Sequence, residues 1–184
     1  MKSYYENSQA IVEEVNTLLS KVKEEDIENY MKESLRAEKL FFVGVGRVRL
    51  SLEAAVKRFT HLGFDCHMVG DLNEPPITEK DLLIVGSGSG ESVIPLEIAK
   101  KAKSYQARVV HLTSNPQSSI AKLADTIVTF ESPSKSSQEF TSIQPMTTVF
   151  EQGLLLFHDV LALDLMKEKG LTFDKLKEKH ANLE

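Results

Sequence analysis

Apolar residues recur at helical intervals along the first part of the chain. Between residues 4 and 36, positions such as Ile11, Val15 and Leu18 lie three or four residues apart, which is the spacing of one face of an α-helix. Asp26 is a residue type that often begins a helix, and we expect it to cap a second one. The pattern therefore predicts two amphipathic helices before the first strand.

Short apolar runs then alternate with segments of helical periodicity. The runs end at glycine or polar residues, as buried strands do, and helical segments follow the first, third and fourth runs. Because a parallel connection needs a crossover of about a dozen residues, this alternation is typical of a parallel sheet with helices on both faces. The predicted strands are KLFFVGVG (39–46), DCHMVG (65–70), DLLIVG (81–86), ARVVHLT (107–113) and DTIVTF (125–130), and the predicted helices cover about 49–63, 91–104 and 117–124.

The C-terminal part begins with a polar, serine-rich stretch, ESPSKSSQEFTSI (131–143). It is either a plain connection or a loop with a function, and both interpretations stay open. A long helix is predicted over about 144–169, with Pro145 in its first turn and Gly170 ending it. The charged tail has the pattern of a short helix near 173–180.

Together these elements predict an α/β fold, a three-layer α/β/α sandwich with a five-stranded parallel sheet and N-terminal helices. A chain of 184 residues with 41% hydrophobic content fits one domain with a single sizeable core. We divide the domain 1–184 into N-terminal helices at 1–37, an α/β core at 38–143, and the long helix with its tail at 144–184.

Charge and cysteine content exclude several classes of protein. The net charge is -5 and the basic residues are scattered among acidic ones, so no nucleic-acid partner is expected. The lone Cys66 rules out a disulfide framework, argues against a structural zinc site and fits a cytoplasmic protein. No apolar segment approaches the roughly twenty residues that span a bilayer, so we expect neither a membrane segment nor a secretion signal.

The stretch GSGSGES (86–92) follows a predicted buried strand and opens a predicted helix. Its glycines allow a tight turn, while Ser87, Ser89 and Ser92 add hydroxyl donors at the helix start. Ligands of open parallel sheets bind beyond the carboxyl ends of the strands. Unpaired amides at a helix start favour an anion of phosphate size. The same residues also serve as ordinary helix caps, and this alternative stays open.

Other nucleotide and nucleophile motifs are excluded by spacing. The chain has no GxxxxGK[ST] motif, and its glycines at 86, 88 and 90 are out of phase with a GxSxG elbow. Arg49 stands where a dinucleotide fingerprint after the first strand needs its third glycine. A nucleoside triphosphate or a nicotinamide cofactor is therefore not expected.

Several stretches resemble the sugar isomerase (SIS) domain family. SGSGES is similar to the Ser-x-Ser-Gly-x-Ser/Thr phosphate loop of that family, and the likeness is greatest to its 6-phospho-3-hexuloisomerases. The resemblance implies a phosphosugar ligand on a five-stranded parallel sheet, and a homo-oligomer that is a dimer or a tetramer. The matching stretches are GVGR (44–47), HLGF (61–64), SGSGES (87–92), LTSNPQSSIAKLAD (112–125), IQPMTTVFEQ (143–152) and HANLE (180–184).

The resemblance implies conversion of D-arabino-hex-3-ulose 6-phosphate to fructose 6-phosphate, a step of the ribulose monophosphate pathway, which fixes or releases formaldehyde. A base removes the proton beside the carbonyl, an enediol forms, and the proton returns to the neighbouring carbon. Such a reaction implies no metal and no redox cofactor. Two alternatives stay open: an isomerase of another ketose phosphate, of the arabinose 5-phosphate isomerase type, and a non-catalytic phosphosugar sensor.

The resemblance also assigns candidate catalytic residues. Glu151 corresponds to the glutamate that related SIS isomerases use as the base, and its apolar neighbours predict partial shielding from water. As the alternative, it is a helix residue paired with a cation. His61 and His180 match positions in the family's stretches, and a histidine from a neighbouring subunit completes the site in several SIS proteins. His111 lies within a predicted strand and is expected in the core.

The candidate binding residues lie in three loops at the predicted carboxyl edge of the sheet. Arg47 would contact substrate oxygens or position its loop, or else it is a solvated residue at a helix start. Thr113 and Ser114 either line the pocket or only end their strand before a turn. Val48 and Arg49 replace the usual serine and glycine of the family's GRSG, and Thr147 stands where glycine is usual. Substrate and phosphate binding are assigned to Gly46, Arg47, Ser87, Ser89, Gly90, Ser92, Thr113 and Ser114.

Overall fold

A five-stranded parallel sheet is the centre of the computed structural model, which describes residues 3–132 and 142–183. Its strands are β1 (Leu40–Val43), β2 (Cys66–Met68), β3 (Leu82–Gly86), β4 (Arg108–Thr113) and β5 (Thr126–Thr129). They lie side by side in the order β2-β1-β3-β4-β5, and every neighbouring pair is parallel. The predicted fold class and the five predicted strands are confirmed.

Helices cover both faces of this sheet. Within the described residues they are α1 (Tyr4–Leu19), α2 (Glu24–Arg36), α3 (Arg47–His61), α4 (Val93–Ser104), α5 (Thr148–Glu168) and α6 (Phe173–Lys177). Apolar residues of α1, α2, α3 and α5 form one core cluster with the sheet, and α4 packs on the other face. The three predicted layers are therefore present.

The alternation of side chains along β1 shows why its run is apolar throughout. Leu40 and Phe42 belong to the core cluster under α3 and α5, whereas Phe41 and Val43 belong to the cluster under α4. Successive side chains of a strand point to opposite faces. A central parallel strand is covered on both faces and must therefore be apolar at every position.

The carboxyl ends of the strands meet at one edge of the sheet. Val43 of β1 lies beside Val85 of β3, and Gly86 lies beside Leu112 of β4. From β1 the chain proceeds to β2 on one side, and from β3 it proceeds to β4 on the other. A crevice opens where strand order reverses in this way, and ligands of such sheets bind there.

Two predicted helix starts are wrong. Helix α2 begins at Glu24 after Lys23, and Asp26 lies within its first turn, where the helix dipole favours an acidic side chain. Helix α5 begins at Thr148 instead of near residue 144. Met146 has a φ of 58°, a left-handed conformation that a right-handed helix cannot contain, so Pro145 lies before the helix.

The helix predicted over 117–124 is only a single 3-10 turn, Ala121–Leu123. The Ile120 amide donates to the Gly90 carbonyl at 3.2 Å, and the Ser118 amide donates to the Asn115 carbonyl at 3.2 Å. These bonds form a turn and a contact across the molecule in place of a helical ladder.

Two remaining expectations concern the tail and the serine-rich stretch. The short tail helix is confirmed as α6. The loop predicted over 131–143 lies mostly outside the described residues.

Within residues 3–132 and 142–183, no helix has the length and apolar content that a membrane crossing requires.

Candidate active site

A cavity of about 630 Å³ occupies the crevice at the carboxyl ends of β1 and β3. The loops after these two strands form two of its walls, and the segment that leads into α5 forms a third. Six of the predicted site residues line it: Gly46, Arg47, Ser87, Ser89, Ser92 and Glu151. The fold thus brings residues from three distant stretches of sequence to one place.

The loop from Ser87 to Ser92 is held together by its own hydroxyl groups. The Ser87 hydroxyl lies 3.1 Å from the Ser92 hydroxyl and accepts a hydrogen bond from the Gly90 amide at 3.1 Å. Ser92 is the N-cap residue of α4, but its side chain makes no cap hydrogen bond, so the ordinary-cap alternative is wrong for Ser92. The first amides of a helix have no intrahelical acceptor, and here they suit an anion.

Gly90 does not line the cavity but lies on the other side of this loop, against Ser118 and His111. Its φ is 67°, and a Cβ atom on it would lie 2.0 Å from the Ser118 hydroxyl oxygen and 3.0 Å from His111 Nε2. Only glycine fits there, because another residue would both strain the backbone and collide with Ser118. The Ile120 amide, bonded to the Gly90 carbonyl, braces the loop from the same side.

Glu151 is a buried carboxylate in the wall of the cavity. Its residue is 8% exposed, which agrees with the shielding expected from its apolar neighbours. Arg47 Nε donates to Glu151 Oε2 at 2.5 Å, and the Thr147 hydroxyl donates to Oε1 at 3.0 Å. Ser51 donates to the Glu151 carbonyl at 2.7 Å and fastens this turn of α5 to α3. Both carboxylate oxygens are therefore held.

The structure contains the ion pair that the alternative interpretation of Glu151 expects, and the catalytic role of Glu151 stays a prediction. Glu151 is paired with a cation, as the alternative expected, and that cation is Arg47, itself a predicted site residue. The Arg47 side chain is 64% exposed and reaches into the cavity from the first residue of α3. A guanidinium so placed is a permanent positive charge at the site.

Thr113 and Ser114 do not line the cavity. The Thr113 hydroxyl donates to the Gly88 carbonyl at 3.2 Å, and the Ser114 amide donates to the same oxygen at 3.0 Å. The Ser114 hydroxyl is paired with Ser132. The interpretation in which they end β4 before a turn fits this geometry, and their bonds to Gly88 support the neighbouring loop from outside the cavity.

His61 and His180 lie together at the far end of α3. Their ring centroids are 5.1 Å apart with an interplanar angle of 32°. Arg47 and His61 are the first and last residues of this 15-residue helix, so about 20 Å of helix separates them at about 1.5 Å per residue. Neither histidine lines the cavity of its own chain.

His111 is a core residue, as expected. It is fully buried, and its Nδ1 lies 3.1 Å from the Val85 carbonyl, to which it donates. Burial lowers the pKa of its imidazole to about 4, since a low-dielectric environment disfavours the charged form.

The two departures in the first loop have different surroundings. Val48 lines the cavity and packs closely on Gly86. Arg49 is bonded elsewhere, to Glu53 at 2.7 Å, to the Val69 carbonyl at 3.1 Å and to Asp71 at 3.0 Å. Val48 therefore places an apolar side chain in the cavity wall where the family usually has a serine hydroxyl. Arg49 adds a charge that holds the loop after β2.

Sequence reasoning did not assign a role to Thr147, which lines the cavity and bonds Glu151. Its place four residues before Glu151 was the available signal, because residues four apart are neighbours on a helix. Within the two described ranges, no cluster of three or more histidine, cysteine or carboxylate side chains has a geometry that could hold a metal ion.

Comparison with known proteins assigns a family. The SIS domain model matches residues 35–162. The chain belongs to the SIS domain family. This SIS protein is 40% identical over 176 residues to the 3-hexulose-6-phosphate isomerase of Bacillus subtilis (strain 168), a match that covers 95% of each chain.

Two further relatives of this SIS protein extend the comparison. The 3-hexulose-6-phosphate isomerase of Mycobacterium gastri is 32% identical, over 97% of this chain and 90% of that one. A crystal structure of a hypothetical protein from Methanococcus jannaschii, for which a molecular function of 3-hexulose-6-phosphate isomerase is inferred, superposes with a TM-score of 0.85. It is 27% identical and is matched over 97% of this chain and 99% of that one.

Proposed function

We propose that the chain isomerises D-arabino-hex-3-ulose 6-phosphate to fructose 6-phosphate. The observation that carries this proposal is the placement of a buried carboxylate, Glu151, and a serine-glycine loop at a helix start in the walls of one cavity. The relatives named 3-hexulose-6-phosphate isomerase, at 32% to 40% identity, support the same reaction.

The phosphate group of the substrate is assigned to the loop after β3. Ser87, Ser89 and Ser92 line the cavity just before α4, whose first amides and dipole favour a negative group. The chain as a whole carries a net charge of -5. Local donors must therefore attract the anion against the overall field of the protein.

The sugar end of the substrate is assigned to the wall formed by Glu151 and Arg47. The Glu151 carboxylate removes the proton from C2, beside the C3 carbonyl, and an enediolate forms across C2 and C3. The same carboxylate then returns the proton to C3, while the hydroxyl proton of C2 passes to the oxygen of C3 and the carbonyl is left at C2. The Arg47 guanidinium stabilises the negative charge that develops on the enediolate oxygens.

An assay of the purified protein with hexulose 6-phosphate tests the proposal directly. Formation of fructose 6-phosphate, coupled through glucose 6-phosphate to the reduction of NADP, is the expected result. Arabinose 5-phosphate is the comparison substrate. If neither sugar turns over but one of them raises the melting temperature, the chain is a sensor that binds without catalysis, because a ligand that binds only the folded state stabilises it.

We also propose that the chain assembles with copies of itself, as a dimer or a homotetramer. Helices α1 and α5 expose apolar side chains on a shared surface, including Val12, Leu155, Leu156, Val160 and Leu163. Grooves of about 450 and 460 Å³ in this surface share Leu156. Extended apolar surfaces of this kind are typical of contacts between proteins.

The histidine pair belongs to this assembly in our proposal. His61 and His180 lie about 20 Å of helix from the cavity of their own chain, so they act on a substrate only from a neighbouring copy. The location in the cytoplasm, the place in the ribulose monophosphate pathway and the single-domain organisation of residues 1–184 stay predictions.

A further inference from the structure

The two oxygens of Glu151 are held by donors of different kinds. Oε2 accepts from the Arg47 guanidinium at 2.5 Å, and Oε1 accepts from the Thr147 hydroxyl at 3.0 Å. These two donors are not equivalent in a reaction that places a proton on the carboxylate. A guanidinium is always charged and always a donor, whereas a hydroxyl is neutral and has lone pairs of its own.

Thr147 turns its hydroxyl away from the contact that its position favours. It is the N-cap residue of α5, and an N-cap threonine ordinarily accepts a hydrogen bond from an amide two or three residues on. Its side chain makes no such bond. The hydroxyl is instead directed at the Glu151 carboxylate, one turn further along the helix.

The position of the permanent charge decides which oxygen of Glu151 receives the proton. A proton on Oε2 would lie against the positive guanidinium, which repels it and has no lone pair to accept a bond from it. A proton on Oε1 lies beside a neutral hydroxyl, which continues to donate to the other lone pair of that oxygen. Protonation of Oε1 therefore requires less free energy than protonation of Oε2.

We propose that Thr147 is a positioning residue: Arg47 leaves Oε1 of Glu151 as the oxygen that carries the proton between C2 and C3 of the sugar, and the Thr147 hydroxyl holds that oxygen in place. The inference rests on the proposed isomerase function. The C2–H bond breaks and an Oε1–H bond forms, and in the second half the Oε1–H bond breaks as the C3–H bond forms. Thr147 keeps its own proton throughout.

The test compares three variants of the whole protein with wild type in the hexulose 6-phosphate assay. Thr147→Val removes the hydroxyl at nearly constant shape, Thr147→Ala removes it without a branched side chain, and Thr147→Ser retains it. Without the hydroxyl, Oε1 is no longer held in the reacting geometry, so kcat should fall about tenfold or more in Thr147→Val and Thr147→Ala. KM should stay within about twofold of wild type, and Thr147→Ser should recover most of kcat.

The outcomes separate this inference from the function on which it rests. A wild type without turnover removes the proposed function itself. An active wild type with Thr147→Val and Thr147→Ala equally active overturns the positioning role, and so does a Thr147→Ser variant as slow as the other two. A loss confined to KM or to the melting temperature also overturns it, since it would indicate binding or folding. If Thr147→Val does not fold, Thr147→Ala and Thr147→Ser alone decide the result.

Discussion

The two ends of helix α3 carry the two halves of the catalytic site that the sequence predicts, and they differ in almost every physical respect. At the first residue, Arg47 meets a buried carboxylate in a cavity of about 630 Å³. At the last residue, His61 lies beside His180 of the tail, outside that cavity. The cavity end also contains the starts of α4 and α5, because their N-cap residues Ser92 and Thr147 line the cavity.

This difference shows which kinds of site residue a single chain can bring together. Strand ends and helix starts converge at one edge of a parallel sheet because the topology requires it. His61 and His180 lie at the far end of α3, outside the cavity of their own chain, and in our proposal they reach a cavity only from a neighbouring copy. Glu151 and Arg47 can therefore act within one chain, whereas a catalytic role of His61 or His180 would require an assembly.

The largest expected effect is at the cavity end. Glu151→Gln keeps the size of the side chain and removes its ability to take a proton, so kcat for hexulose 6-phosphate should fall about 1,000-fold. Glu168→Gln, an exposed residue at the other end of α5, is the matched control and should retain wild-type kcat. A Glu151→Gln variant that turns over at the wild-type rate would show that another residue is the base.

The next effect tests the histidine end. His180→Ala should lower kcat about 100-fold if the histidine acts as an acid or donor for a neighbouring copy. Mixing unfolded His180→Ala with unfolded Glu151→Gln and refolding them together should then restore part of the activity, because some cavities receive both native residues. A mixture no more active than its parents would confine the site to one chain.

The third prediction compares the free energies of unfolding of two glycine-to-alanine variants, one in the phosphate loop and one after α5. Gly90 and Gly170 both have positive φ, but a Cβ on Gly170 meets nothing within 4 Å, whereas one on Gly90 meets Ser118 at 2.0 Å. Gly90→Ala should therefore lower the free energy of unfolding by about 2 kcal/mol more than Gly170→Ala. Equal losses in denaturant unfolding would mean that the packing behind the phosphate loop adjusts freely.

The smallest effect separates core histidines from catalytic ones. Burial lowers the pKa of His111 and of His158 to about 4 from 6.5. The unfolded chain therefore binds protons that the folded chain does not, and stability is lost as the pH falls from about 6.5 toward 4. Between about pH 6.5 and 5.5 each histidine should remove about 1 kcal/mol from the free energy of unfolding.

Replacing one of these histidines provides the control for the pH effect. In His111→Gln the pH-dependent loss of the free energy of unfolding should be about half of the loss that the two histidines cause together in wild type, because only His158 still contributes. His158 donates through Nδ1 to the Leu154 carbonyl and accepts at Nε2 from the Tyr30 hydroxyl. These two bonds require the neutral form of the imidazole. An unchanged pH dependence in His111→Gln would contradict the assignment of His111.

Most of the fold could be predicted from the sequence because its signals are local. Runs such as DLLIVG and their glycine ends determine strands that are covered on both faces, and all five predicted strands are present. The errors fall where a contact across the molecule overrides local pattern. The bond from Ile120 to Gly90 replaces a predicted helix by one turn, and the positive φ of Met146 delays the start of α5.

The site could be predicted only in part, for a related reason. Hydroxyl groups in a glycine-rich loop and a glutamate on a mostly apolar helix are visible in the sequence, and Ser87 and Glu151 do line one cavity. The direction of a hydroxyl is not visible in a sequence. Thr113 turns away from the cavity and Thr147 turns toward Glu151, and only the folded backbone distinguishes them.

In the proposed reaction Glu151 moves a proton between two neighbouring carbons of a sugar phosphate. Proton exchange of fructose 6-phosphate in deuterium oxide, followed by nuclear magnetic resonance, tests it most directly. Because a proton held on Glu151 exchanges with the solvent over many turnovers, wild type should replace the hydrogen on C3 with deuterium, and Glu151→Gln should do so about 1,000-fold more slowly. Equal exchange with wild type and with Glu151→Gln would contradict the assignment of Glu151 as the base.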